Sequence, residues 1–199
     1  ATEWRTSRDD GWNIERLEGA DNGAHLGEHW RATDPDGTQY YFGLDENPDN
    51  GRQMDSTLSV PVYSGRDGEP CRDMAANACY MGWRWNLDRV VDPDGNVTSY
   101  SYQREDNRYA GLNGFFNGTA YNRGAVLDSI EYGTREGSDV DPTVRVDVGS
   151  QFRCRDLDAN CPAPTLKNSS RFPDVPNDLI CDGSSCTQDS PTFFSDYRY

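Results

Sequence analysis

The hydrophobic pattern along this chain is that of strands. "WNIERLEG" alternates Trp12 and Ile14 with polar neighbours, and "STLSVPVYSG" alternates Leu58, Val60 and Val62. This is the period of two that puts every second side chain on one face of a sheet. Pro61 lacks the amide that a central strand must donate, so that segment belongs on a sheet edge or in irregular structure. "HWRATDPDGTQYYFG" reads as strand, turn, strand. Its Asp34-Pro35-Asp36-Gly37 puts proline where a turn wants its fixed φ and glycine where φ is often positive. The same punctuation recurs at Asp92-Pro93-Asp94-Gly95, inside "RWNLDRVVDPDGNVTSYSYQRE". Before the second turn Trp83, Trp85 and Leu87 fall on one face of a strand. After it Val97, then Tyr100 and Tyr102, continue another. Two units aligned on the turn, "RATDPDGTQYYF" and "RVVDPDGNVTSYSY", predict a modular meander of hairpins. "AVLDSIEYGTR" and "PTVRVDVGSQFR" supply two more strands.

The alternation stops near residue 150, which divides the chain into a hairpin module, 1–150, and an irregular extension, 151–199, packed on it. The extension is rich in Pro, Asp, Asn and Ser. Helix is expected only in short pieces such as "CRDMAANACYMG", where a cysteine pair can clip one turn. The fold class that follows is all-β: antiparallel hairpins in a meander, with irregular disulfide-clipped loops and little helix.

Composition changes the picture in two ways. A formal net charge of -15, a pI of about 4.4 and a mean hydropathy of -0.91 lie in the direction of disorder. Against that stand five Trp, eleven Tyr and seven Phe, which bury large areas, and six cysteines in close pairs. Cys71 with Cys79, Cys154 with Cys161 and Cys181 with Cys186 are the natural local disulfides, although six cysteines allow about fifteen connectivities. Each such loop contributes roughly 2–3 kcal/mol in the loop-entropy account. Disulfides point outside a reducing cytosol, to a secreted or extracellular location. The acidic charge repels phosphate backbones and anionic lipid, so nucleic acid is not an expected partner. No apolar run approaches the roughly 20 residues of a membrane span, so no membrane insertion is expected. The opening "ATEWRTSRDDGWNIERL" reads as the middle of a longer protein.

Candidate chemistry is sparse. "HLGEH" contains both histidines and spells H-x-x-E-H, the inverted zinc-protease signature. That signature needs a helix to put His25 and His29 on one face beside Glu28. Gly27 inside it and Asp21-Asn22-Gly23 before it oppose a helix, so the motif reads as a loop leading into a hairpin. Asp156, Asp158 and Asn160 have EF-hand spacing, but Cys161 stands where glycine is required and Lys167 where the bidentate glutamate belongs. Asp45, Asn47 and Asp49 come close too, but Gly51 is one place late and Ser56 holds the twelfth position. No cofactor is therefore expected, with loop-built calcium as the alternative to solvated acidic turns. Nucleophilic hydrolysis lacks a G-x-S-x-G and an unpaired cysteine. Asn96, Asn117 and Asn168 begin glycosylation sequons that matter only in a secreted eukaryotic protein.

The stretch "DDGWNIERLEGADNGAHLGEHWRATDPDGTQYYFGL" resembles the N-terminal part of large secreted actinobacterial Rhs/YD-repeat proteins, many of them polymorphic-toxin-like. The resemblance continues through "VPVYSGRDGEPC", "WRWNLDRVVDPDGNVTSYSYQRE", "YNRGAVLDSIEYGTR" and "CDGSSCTQDSPTFF". It implies a β-sheet shell segment with no catalytic residues, whose partners are the remainder of a parent chain or like copies of itself. YD repeats proper carry a recurring Tyr-Asp, which only the two hairpins approximate. Two other readings remain. A carbohydrate- or cell-surface-binding module predicts exposed Trp, and a hydrolase predicts a pocket of converging carboxylates around Glu28 or an Asp pair.

Overall fold

The computed structural model describes residues 2–4, 7, 10–111, 116–155, 161–181, 183 and 186–195. Among the described residues ten strands follow one another: β1 Thr2–Trp4, β2 Asn13–Leu17, β3 His29–Thr33, β4 Gln39–Phe42, β5 Thr57–Tyr63, β6 Ala78–Trp85, β7 Leu87–Val91, β8 Asn96–Gly111, β9 Phe116–Arg135 and β10 Val144–Asp147. Among the described residues helix is confined to 3-10 turns at His25–Gly27, Ala75–Asn77, Leu166–Arg171 and Asn177–Leu179. Eight strands form one sheet in the order β1-β2-β3-β4-β7-β8-β9-β10, and β5 and β6 form a second. The fold is mostly antiparallel β, with disulfides in its loops.

The two D-P-D-G turns join β3 to β4 and β7 to β8, and they are built alike. Asp34 Oδ1 accepts from the amides of Asp36 (3.0 Å) and Thr38 (2.9 Å), while Gly37 N–H donates to the Asp34 carbonyl (3.0 Å). Asp92 Oδ1 accepts from Asp94 (3.0 Å) and Asn96 (2.8 Å), and Gly95 N–H donates to the Asp92 carbonyl (2.9 Å). Gly37 and Gly95 have φ of 91° and 78°, where a Cβ meets the backbone. Because β4 pairs with β7, the turns lie side by side: a Cβ on Gly37 would meet Pro93 Cγ at 3.7 Å.

The strand pattern departs from the sequence reading between Trp83 and Leu87. These residues do not share one strand face. Trp83 and Trp85 belong to β6, which pairs with β5, and Leu87 begins β7 in the larger sheet. The chain changes sheets at Asn86, whose N–H donates to the Ser56 carbonyl and whose carbonyl accepts from Gly43 N–H. Pro61 lies in β5 of the two-stranded sheet, opposite Tyr80, where a missing amide is tolerated. The turn expected in "CRDMAANACYMG" is a single 3-10 turn, Ala75–Asn77, leading into β6.

The chain divides into two compact units, 1–103 with 127–148 and 104–126 with 149–199. The second unit thus holds the irregular extension together with the distal parts of β8 and β9, which the division at residue 150 assigned to the hairpin module. Polar anchoring accounts for the difference. Asn107 Nδ2 donates to the Leu179 carbonyl (2.8 Å), Asn107 Oδ1 accepts from Cys181 N–H (2.8 Å), and Tyr121 Oη donates to the Thr192 carbonyl (2.7 Å). Around these bonds lies a small core of Cys154, Phe172, Val175 and Ile180.

The first unit buries Met54, Leu58, Val91 and Val97, but also Asp45, Asn47, Ser56, Thr57, Asp88, Arg89 and Glu131. Its interior is therefore as much a polar network as an apolar core.

Candidate functional site

His25, Glu28 and His29 do not form a metal-binding face. His25 sits in the 3-10 turn and His29 begins β3, with Leu26 between them at a φ of 59° that breaks any helix. Glu28 is buried and paired with Arg16, Oε2 to Nη2 at 2.6 Å. His29 is buried too, its Nδ1 3.0 Å from the Gly27 carbonyl. The loop is tied in place by Asn22, whose Nδ2 donates to the carbonyls of Glu28 (2.8 Å) and Gly43 (2.7 Å). Trp85 Nε1 also donates to the Glu28 carbonyl (2.8 Å). The carboxylate that would activate a water in this motif is thus held by an arginine.

Asn47 and Asp49 of the acidic stretch are gathered around a cation that the chain itself supplies. The Arg89 guanidinium, 2 % exposed, donates from Nη1 to Asp49 Oδ2 (2.5 Å) and to Asn47 Oδ1 (3.3 Å). Asp49 Oδ1 accepts from Gly137 N–H (2.9 Å), and Asp45 Oδ1 accepts from Thr57 N–H (3.0 Å). Asn47 Oδ1, both Asp49 oxygens and Asp45 Oδ1 are thus engaged by protein donors. Asp156, Asp158 and Asn160 lie outside the described residues.

Asp88 is the most perturbed carboxylate of this network. Desolvation raises its pKa to about 6, opposed by hydrogen bonds from the Ser56 hydroxyl and from backbone amides including Asp45 N–H. Ser56 Oγ donates at 2.5 Å and Asp45 N–H at 3.0 Å, both to Oδ2, while the buried Oδ1 has no partner. A raised pKa is what an unpaired oxygen in a desolvated site favours. Tyr102, pushed to about 12 mainly by burial, donates its hydroxyl to the Leu87 carbonyl (2.7 Å). Glu131, also buried, is paired with Arg52 and with Arg145 Nη1, the latter at 2.6 Å.

The second unit contains a cavity of about 370 Å³ lined by Arg104, Glu105, Asp106, Arg123, Phe152 and Ile180, among others. Its two carboxylates have separate partners. Glu105 is paired with Arg123 (3.2 Å), which also donates to the Phe194 carbonyl and lies 4.4 Å over the Phe194 ring. Asp106 instead accepts from Asn122 Nδ2 (2.8 Å).

The cysteines lie in three local disulfides, Cys71–Cys79, Cys154–Cys161 and Cys181–Cys186. His25, separated from its motif partners, lies against the first of these. Asn96 and Asn168 donate their amide nitrogens to Asp92 Oδ2 and the Ala163 carbonyl, and the Asn117 side chain lies outside the described residues.

Surface features remain. On the large sheet Trp4 and Trp30 contact one another (6.1 Å between centroids), and Trp30 meets Trp85 edge-on (6.0 Å). Trp4 is 52 % exposed. Nothing in the sequence distinguished these three tryptophans as a group, because they come from β1, β3 and β6. Among the described residues the outermost strands β1 and β10 each pair on one side, with β2 and β9. Val146 in β10 is 45 % exposed, and Val140 and Val148 beside it are also exposed.

No family model matches the chain, and no curated protein does. Among solved structures it is similar to the N-terminal domain of the effector protein SpvB from Salmonella typhimurium strain LT2, at 18% identity and a TM-score of 0.38. That match covers 66% of this chain and 34% of that one. It is also similar to TcdB2-TccC3-TEV, at 17% identity and a TM-score of 0.35, over 68% of this chain and 5% of that one. TcdB2-TccC3 matches at 15% identity and a TM-score of 0.35, over 78% of this chain and 7% of that one. The chain spans about a third of the first of these and a small fraction of the other two.

Proposed function

We propose that this chain is a non-catalytic scaffold segment of a secreted bacterial Rhs/YD-repeat protein, contributing strands to a larger β shell or surface assembly. One observation carries the reading: among the described residues, the eight-stranded sheet ends in strands with an open side, and exposed valines flank one of those ends. A row of free N–H and C=O groups is a template for another strand. Monomeric proteins usually protect such edges with charge or proline, whereas a shell segment continues its sheet into the next repeat. The partner in this reading is the rest of a parent chain or a like copy. Disulfides and the absence, among the described residues, of a helix long and apolar enough to cross a membrane fit a secreted location. The engaged oxygens around Arg89 support a scaffold that needs no calcium.

Sedimentation velocity over a concentration series tests this. The oxidised chain is expected to associate as concentration rises, and Val146→Lys, which replaces an exposed apolar side chain between Arg145 and Asp147 of β10 with a further charge, is expected to weaken association at least tenfold. A chain that stays monomeric, or a variant that associates like the parent, contradicts the reading.

A second reading, a carbohydrate- or cell-surface-binding module, is favoured by the exposed Trp4, which contacts the half-buried Trp30. It predicts glycan binding that Trp4→Ala abolishes, measured on immobilised glycans with the monomeric Val146→Lys chain.

A further inference from the structure

The loop that spoils the H-x-x-E-H motif presents His25 to a different pair of ligands. A His25 ring nitrogen and the sulfurs of Cys71 and Cys79 all lie within 4.8 Å of one another. We infer that Cys71, Cys79 and His25 form a redox-gated site for a thiophilic divalent cation such as zinc, closed while the disulfide is intact and opened by reduction.

The donor set is right for this ion. Two thiolates and an imidazole, with a fourth position left to water, are a zinc ligand combination. Zn–S of about 2.3 Å and Zn–N of about 2.0–2.1 Å in tetrahedral geometry place sulfurs about 3.8 Å apart and each about 3.6 Å from the nitrogen. The His25 nitrogen lies within 4.8 Å of both sulfurs, and the bonded sulfurs must part to admit the ion. The Cα–Cα distance of 5.3 Å lets side-chain rotation supply that movement.

Three backbone segments hold the ligands. Cys79 lies on β6, opposite Val62 of β5. Cys71 lies in the turn preceding Ala75–Asn77, where Met74 N–H donates to the Cys71 carbonyl (3.1 Å). His25 is fixed by a loop in which Gly19 N–H donates to Leu26 (2.8 Å), Ala20 N–H to Gly27 (3.1 Å) and Gly27 N–H to Ala24 (2.9 Å), each at a carbonyl. Most of these bonds involve neither cysteine, so much of the site's frame survives loss of the cross-link.

The other cysteine pairs differ. The second histidine is buried at the start of β3 and bonded to Gly27, and Cys154 instead has the Arg171 guanidinium at 3.7 Å. A cation beside a sulfur opposes a second, metallic one.

The chemistry balances with a dithiol as reductant. The dithiol gives two electrons and two protons to the Cys71–Cys79 bond and becomes a disulfide, leaving two thiols. Zinc then displaces both protons to solvent, and the two thiolates and neutral His25 bind it. The metal takes over the mechanical role of the cross-link, tying Cys71 to β6 and adding a tie to the His25 loop.

Cobalt tests the site, because thiolate coordination gives it charge-transfer absorption. The full chain, carrying Cys154→Ser, Cys161→Ser, Cys181→Ser and Cys186→Ser so that only Cys71 and Cys79 supply thiolates, is treated with a phosphine reductant and titrated with Co²⁺ while circular dichroism follows the fold. One cobalt per reduced chain is expected, with thiolate charge-transfer bands, a raised melting temperature and no binding to the oxidised chain. Reduced His25→Ala should bind at least tenfold more weakly and with altered d–d bands. Cys71→Ser with Cys79→Ser should lose the bands under both conditions. Absence of binding to the reduced chain, failure of the metal to restore order there, or equal affinity in His25→Ala would each overturn the proposal.

Discussion

At the scale of single residues, Asp88 controls a pH dependence. Its folded pKa of about 6 lies above the ordinary value of 3.8 because burial disfavours the charge. The folded chain therefore binds the proton more tightly than the unfolded chain. The associated stability is fully present below about pH 4 and is lost as pH rises through 6, amounting to about 3 kcal/mol as an upper figure. Asp88→Asn keeps an oxygen for Ser56 and Asp45 and removes the charge. Thermal melts between pH 4 and 7.5 should show the variant gaining on the parent as pH rises; parallel curves would contradict the assignment. Asn107 is a second residue-scale case. Asn107→Ala leaves the Leu179 carbonyl and Cys181 N–H without their partner, at about 1–3 kcal/mol for each buried group. Limited proteolysis should then cut 161–195 faster while the first unit stays intact. None of this was legible in the sequence, where Asp88 and Asn107 are polar residues in strand-like segments. Their importance comes from partners up to 74 positions away.

At the scale of elements, the hairpins were legible and the change of sheets was not. The D-P-D-G turns carry their own geometry: an aspartate that accepts two amides, and a glycine at positive φ. Such local signals survive any tertiary context. Gly37→Ala and Gly95→Ala should each cost about 1–2 kcal/mol, since a left-handed alanine is strained. Gly19→Ala, also at positive φ but outside either hairpin, should not disturb the β3–β4 or β7–β8 pairing measured by hydrogen exchange. The stretch from Trp83 to Leu87 has an unbroken period of two, yet it belongs to two sheets, because alternation says nothing about which neighbour a strand will pair with. The lengths of β8 and β9, 16 and 20 residues, were equally hidden, since much of both is polar. The candidate site followed the same rule. H-x-x-E-H was identified as a loop from Gly27 and its surroundings, but the placement of His25 beside Cys71 and Cys79 arises only through the packing of the loop on β6.

At the scale of the whole molecule, the protein folds with a lean apolar core by combining a buried ionic network with covalent clips. Arg89 with Asp49 and Glu131 with Arg52 and Arg145 neutralise carboxylates inside a chain of net charge -15. Each disulfide contributes roughly 2–3 kcal/mol by restricting the unfolded chain. Reductant should therefore lower the melting temperature by many degrees, whereas EDTA should leave the oxidised chain unchanged. An EDTA-sensitive melt would restore calcium to the account. The central claim concerns the sheet's open ends. Amide hydrogen exchange, resolved strand by strand at low and high protein concentration, addresses it most directly. Fast exchange in β1 and β10 of the dilute chain, slowing as concentration rises while β3 and β7 stay slow throughout, is the predicted result. Protection of β1 and β10 equal to that of the interior strands at the lowest concentration, or indifferent to concentration, would contradict it.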